Sequence, residues 1–145
     1  NRSAEKFAES IAKRIFSNGI AALLIDYGYV RSGFGDTLQA VKSHQYCDPL
    51  TDIGNADLTA HVDFANLKAI FENAGVAVHG PVPQRSFLTT LGIEHRTMAL
   101  VKTAKAEQAL LLIKGCQRLI AQNGMGSLFK VMAITPGNTS VPEGF

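Results

Sequence analysis

Cysteine is scarce in this chain, and neither Cys47 nor Cys116 sits in a context that would activate a thiol. Two cysteines do not make a disulfide framework, so a reducing compartment is the natural reading. Charge is sparse and nearly balanced: fourteen Lys and Arg against twelve Asp and Glu leave a formal net charge of +2. The basic residues are scattered, which argues against nucleic acid or an anionic membrane surface as partner. Long apolar runs are lacking too; the longest, residues 20–25, is far too short to span a bilayer. Nucleotide fingerprints are missing. The glycine-rich "GYVRSGFG" fits neither G-x-G-x-x-G nor the phosphate-binding loop, and there is no G-x-S-x-G elbow. The chain opens "NRSAEKFAES", without an initiator methionine, signal peptide or tag, which leads to the expectation of a piece of a longer polypeptide.

What is present suits one modest α/β domain. The 145 residues are 46% hydrophobic and 18% charged, enough for a real core. "AEKFAESIAKRIFS" puts Phe7, Ala8, Ile11, Ala12 and Ile15 on one helical face, with Ser3 as cap and Asn18-Gly19 as stop. "IAALLIDYG" is an unbroken apolar run ending in polar residues, which predicts a strand buried on both faces, as in a parallel sheet. Asp63 is placed to cap a helix over 64–74, with Phe64, Leu67, Ile70 and Phe71 as its stripe. "VAVHG" predicts a strand stopped by Pro81. "QRSFLTTLGI" and "EHRTMALVKTA" read as two short helices, "AEQALLLIKGCQRLIAQ" as a longer one, and "SLFKVMAIT" as a last strand.

The anomaly is the polar stretch of residues 35–64, with five acidic residues, two histidines and a cysteine but no long period. It is too rich in apolar and β-branched residues to be disordered, and long irregular connections that are ordered are usually functional. "DTLQAV" and "ADLTAHV" read as short extended pieces joined by turns at Asp48-Pro49 and at Ile53-Gly54-Asn55. The stretch leaves from the carboxyl end of a strand, where open α/β sheets gather ligands. Asp26, at that strand end, could accept hydrogen bonds from a substrate, or could simply cap a neighbouring loop. His44 and Cys47 have the spacing of a metal pair, but zinc needs two more ligands. His61 and Asp63 do not close a tetrahedral set, so scattered polar residues are the better reading and no metal is expected. Cys116 reads as core packing, and His79 and His95 as structural.

The order of these words resembles a known family. "LLIDYGY", "GDTLQAV" with a following His, "DPL" and "ADLTAHVDF", then "VHGPVPQRSFLTTLGI" and "LFKVMAIT", are similar to blocks of the MidA-like S-adenosylmethionine-dependent methyltransferases across nearly the whole chain. The resemblance implies the C-terminal, acceptor-side portion of a class I, Rossmann-like sheet. Residues 1–145 would form one such part, with an irregular insertion at about 28–62 and a helical one at about 84–122. "IAALLIDYG", "VAVHG" and "SLFKVMAIT" would be the fifth, sixth and seventh strands, the seventh antiparallel and inserted between the others. The cofactor, S-adenosylmethionine, would be bound mainly by a part outside this chain. The implied acceptor is an arginine on a protein. Asp26, Tyr27 and His61 are then the expected catalytic residues, and Gly28, Asp36, Asp57 and Asp63 the expected substrate-binding ones. Asp36, Asp57 and Asp63 could equally fix turns and cap the next helix. Expected partners are the protein substrate and either the N-terminal half of the same enzyme or a second copy, in a bacterial cytoplasm or the mitochondrial matrix. The alternative is a non-catalytic protein-binding or dimerisation module.

Overall fold

The first segment's helical period produces α1 (Arg2–Asn18) in the computed structural model, which describes residues 2–33, 35–51 and 53–145. Ala8, Ala12 and Ile15 are buried, and Ile11 packs against the same cluster. Phe7 belongs to that stripe but is largely exposed, because it overhangs a sheet edge and lines a cleft with Leu24 and Leu67. Ser3 falls inside the helix rather than capping it. The stop is as expected: Gly19 takes φ 65° and its N–H donates to the Ile15 carbonyl at 3.0 Å.

Then come β1 (Ala22–Tyr29), β2 (Gln39–Lys42), β3 (Gln45–Cys47), β4 (Asp57–Thr59) and β5 (Val62–Asp63), and α2 (Phe64–Asn73). The rest is β6 (Ala77–Pro83), α3 (Gln84–Thr90), α4 (Ile93–Val101), α5 (Ala106–Ile120), α6 (Met125–Leu128) and β7 (Phe129–Thr135). The larger sheet has the order β5-β1-β7-β6. β7 runs antiparallel to both β1 and β6, and β5 runs parallel to β1. The last strand therefore lies between the other two long ones, the placement that the resemblance implies. One face of β7 gives Met132 and Ile134 to a core with α1 and α2, closed by Phe64, Leu67 and Phe71. Its other face buries Val131 and Ala133. There α3 and α6 approach, and Phe87 meets Phe145 with ring centroids 5.2 Å apart.

Four expectations need correction. β1 is not buried on both faces: Leu23 is 50% and Ile25 48% exposed. The pleat sends Ala22 and Leu24 to the α1/α2 core and Leu23 and Ile25 to the other face. Among the described residues β5 joins β1 only at Gly28 and Tyr29, so residues 22–27 have an open edge. β6 does not stop at Pro81. Its register passes from His79↔Ala133 to Val82↔Val131, a one-residue bulge that absorbs a residue with no N–H to give. The polar stretch is less irregular than an insertion over 28–62 implies: its two extended pieces appear as β2 and β4, and with β3 they form a separate antiparallel sheet. Ser43 and His44, with φ of 50° and 63°, make the two-residue turn between β2 and β3. Finally, α5 ends at Ile120, and α6 follows as an extra turn. There Gly126 lies so close to the Ile120 backbone that a Cβ would come within 2.6 Å of its carbonyl.

Gly28 holds the tightest junction. A Cβ on it would lie 2.2 Å from the Val62 carbonyl oxygen and 3.0 Å from the Phe64 ring. Backbone cannot yield as a side chain can, so Gly28→Ala is expected to cost about 3 kcal/mol. A urea midpoint equal to wild type would show that β1 and β5 tolerate separation.

Candidate functional site

The carboxyl end of β1 carries Asp26-Tyr27-Gly28-Tyr29, and the strand's pleat divides it. Asp26 lies opposite Lys130 in the pairing with β7 and lines the cleft on the α1/α2 side, with Leu24 and Phe64. Its Oδ1 accepts the N–H of Tyr27 at 2.8 Å. Tyr27 goes the other way. Its ring stands edge-on to Phe129, with centroids 5.6 Å apart at 80°, and edge-on to His61, 5.7 Å apart at 69°. His61 arrives there because Val62, the next residue, is the parallel partner of Gly28.

Tyr27 and His61 line one cavity of about 440 Å³ with Gln39, Val41, Tyr46, Thr59 and Leu128. Gln39 and Thr59 are cross-strand partners in the small sheet, so that sheet presents one face to the cavity. Asp57 pairs with Val41 and shares a face with Thr59, which puts an exposed carboxylate on the cavity's side of the sheet. Leu128 is held by Lys130, whose Nζ donates to the carbonyl of Ser127 and, at 3.0 Å, to that of Leu128. Burial pushes the Lys130 ammonium below the usual lysine pKa. Among the described residues no Lys or Arg lines the cavity.

The expected site residues thus separate. Tyr27 and His61 come together, and Asp57 sits on the same side. Asp26 does not join them, because consecutive strand residues face opposite sides. Gly28 is buried under Val62 and Phe64, a packing position. Asp36 fixes a turn by accepting the N–H of Leu38 at 2.9 Å. Asp63 caps α2, accepting the N–H of Asn66 at 3.0 Å, and also accepts Ser32 Oγ at 3.0 and 2.8 Å through its two oxygens. Its carboxylate is occupied by the fold. His79 Nε2 meets Thr135 Oγ1 at 2.9 Å, a structural contact. Cys116 is only half-buried and faces a separate cleft between α4 and α5. Sequence reasoning passed over Gln39, Tyr46, Thr59 and Leu128. The period-two pairs Gln39/Val41 and Asp57/Thr59 carried a signal; Tyr46 needed the strand register.

Residues 1–82 match a family model described as "Putative S-adenosyl-L-methionine-dependent methyltransferase". The chain belongs to this MidA-like methyltransferase family. It is 40% identical over 131 residues to the protein arginine methyltransferase NDUFAF7 homolog, mitochondrial, of Drosophila melanogaster, covering 88% of this chain and 29% of that protein. To the Caenorhabditis elegans homolog it is 39% identical over 127 residues, covering 87% and 29%. The chain therefore spans less than a third of the length of these curated relatives. A superfamily protein from Burkholderia thailandensis superimposes with a TM-score of 0.86 at 29% identity, over 97% of this chain and 39% of that one. A second, from the same organism and bound to S-adenosyl-homocysteine, gives 0.83 at 28%, over 99% and 38%. The glycine-bearing loop after β1 leads into the small sheet instead of opening a helix, so no helix N-terminus stands at that turn.

The geometry separates a cap from a substrate ligand at Asp63. Asp63→Ala is expected to cost about 1–2 kcal/mol in chemical unfolding. Weakened acceptor binding with no loss of stability would return Asp63 to the substrate.

Proposed function

We propose that this chain is the acceptor-side portion of a methyltransferase domain that uses S-adenosylmethionine to methylate arginine side chains of a protein. The observation that carries the reading is the Tyr27–His61 cavity at the carboxyl end of β1, free of cationic lining and with Asp57 on its side. It is supported by the relatives named as protein arginine methyltransferases. In this reading β1, β6 and β7 are the fifth, sixth and seventh strands of a class I sheet. Residues 28–62 and 84–122 are insertions on its acceptor side. Most of the cofactor site belongs to a part of the sheet beyond the open edge of β1.

A guanidinium stays protonated in water, with a pKa above ~12, and offers planar donors. Methyl transfer to it demands an aligned nitrogen and a place for the proton that leaves as the N–C bond forms. Tyr27, fixed edge-on between Phe129 and His61, gives a rigid wall for alignment. Asp57 supplies a carboxylate for pairing. His61 is the ring nitrogen base within the cavity and takes the departing proton. S-adenosylmethionine supplies the methyl group when bound.

The second reading, a protein-binding or dimerisation module, draws on the half-exposed Leu23 and Ile25 beside the open edge of β1. A sheet edge with apolar neighbours demands a cover. The rest of the same enzyme provides one without a foreign partner, and a second copy is the alternative cover. The relatives are mitochondrial proteins, so the matrix is the proposed compartment, with the bacterial cytoplasm as counterpart. Among the described residues no helix is long and apolar enough to cross a membrane.

The test uses the full-length protein carrying this chain, with S-adenosylmethionine and arginine-containing protein substrates, read by peptide mass. Tyr27→Ala, through lost alignment, and His61→Ala, through loss of the base, are each expected to lower turnover by ~100-fold, with S-adenosyl-homocysteine affinity unchanged. Finding no methylated arginine with any substrate would sink the proposal.

A further inference from the structure

The cavity at the end of β1 has a third ring. Tyr46 lies on β3, the outer strand of the small sheet, and is 78% exposed. An exposed tyrosine alone needs no explanation. Its register gives it one. Across the ladder Tyr46 pairs with Val41, and Val41 pairs on its other side with Asp57. Tyr46, Val41 and Asp57 thus form a row across the sheet, a ring at one end and a carboxylate at the other. Tyr46 and Val41 both line the cavity that Tyr27 and His61 close.

Rings around a cavity with a carboxylate on its rim and no cationic lining suit a cation. They suit a flat one better than a round one. A guanidinium stacks on a ring face and pairs in a fork with a carboxylate, whereas an ammonium is a strongly hydrated point charge that gains neither planar contact. We propose that Tyr46 and Asp57 are specificity-determining residues that select a guanidinium over an ammonium as acceptor. The small sheet is then a selectivity wall, built on a strand that makes no contribution to the main core. The inference rests on the arginine reading above and extends it to a choice between two side-chain chemistries.

The experiment is calorimetric titration of the full-length protein, loaded with S-adenosyl-homocysteine, with two peptides that differ only in arginine or lysine at one position. The arginine peptide is expected to bind roughly tenfold more tightly. Tyr46→Leu should remove most of that preference and Tyr46→Phe should keep it. Asp57→Asn should weaken the arginine peptide more than the lysine peptide, because only the guanidinium loses a forked pairing. Both positions carry exposed side chains, so an unchanged Tm checks that folding is intact. Equal binding of the two peptides by the wild type overturns the inference, as does a Tyr46→Leu variant that keeps the preference. Methylation separates this from the proposed function. Arginine methylation with selectivity intact in Tyr46→Leu removes only the role of Tyr46. Tyr46-dependent peptide selectivity without any arginine methylation supports the selectivity wall and removes only the proposed reaction.

Discussion

Strand β7 is paired on both edges, with β1 from Tyr27↔Phe129 to Ala22↔Ile134 and with β6 from Pro83↔Lys130 to Ala77↔Thr135. Both of its faces are buried, Met132 and Ile134 toward α1 and α2, Val131 and Ala133 toward α3 and α6. A residue buried on each side of a pleated strand contributes about 1.5–3 kcal/mol if large and apolar. The unbroken "VMAI" of this strand is therefore the densest source of stability in the chain. β7 also comes last in sequence and joins two strands, β1 and β6, that lie about a third of the chain apart.

The site inherits its geometry from that strand. Phe129, the first residue of β7, faces Tyr27 directly in the antiparallel register and fixes its ring. One residue on, Lys130 turns back to the carbonyls of Ser127 and Leu128, holding the short α6 against the strand's start. So the floor of the cavity is half-buried and anchored to the main sheet through Tyr27 and Phe129, while the small sheet that faces it is mostly exposed.

Much of this was legible in the sequence where a single period or cap decides the outcome. The stripe of α1, the Gly19 stop and the Asp63 cap are local events, and the chain carries their chemistry within a few residues. The unbroken apolar run of β1 was legible as a strand but misleading as to burial. Hydrophobicity records what a residue can bury against, and Leu23 and Ile25 lie where the described chain supplies nothing. The Pro81 bulge was hidden because a proline stops a regular ladder but fits an irregular one. Asp26 stands apart from Tyr27 and His61 for a simpler reason: adjacency in sequence is opposition in a strand. Tyr46 could not be reached at all without knowing that Ser43 and His44 turn the chain back on Lys42.

The polar stretch that seemed out of place in the sequence has a definite mechanical logic. It leaves the main sheet after Tyr29 and returns at Val62, and those two ends are stapled by the short parallel pairing of Gly28 with Val62 and Tyr29 with Asp63. Parallel pairing between neighbours in sequence needs a long excursion, which the small sheet supplies. The staple works only because position 28 has no side chain, since any Cβ there would run into the Val62 carbonyl. Asp63 strengthens it by capping α2 while holding Ser32 on the outgoing arm. The consequence is that His61, thirty-four positions from Tyr27 in sequence, is delivered beside it whatever the outer loops do. The arrangement separates two parts of the cavity: Tyr27 and His61 are set by backbone pairing of the main sheet, and the small sheet contributes its side through a ladder of its own.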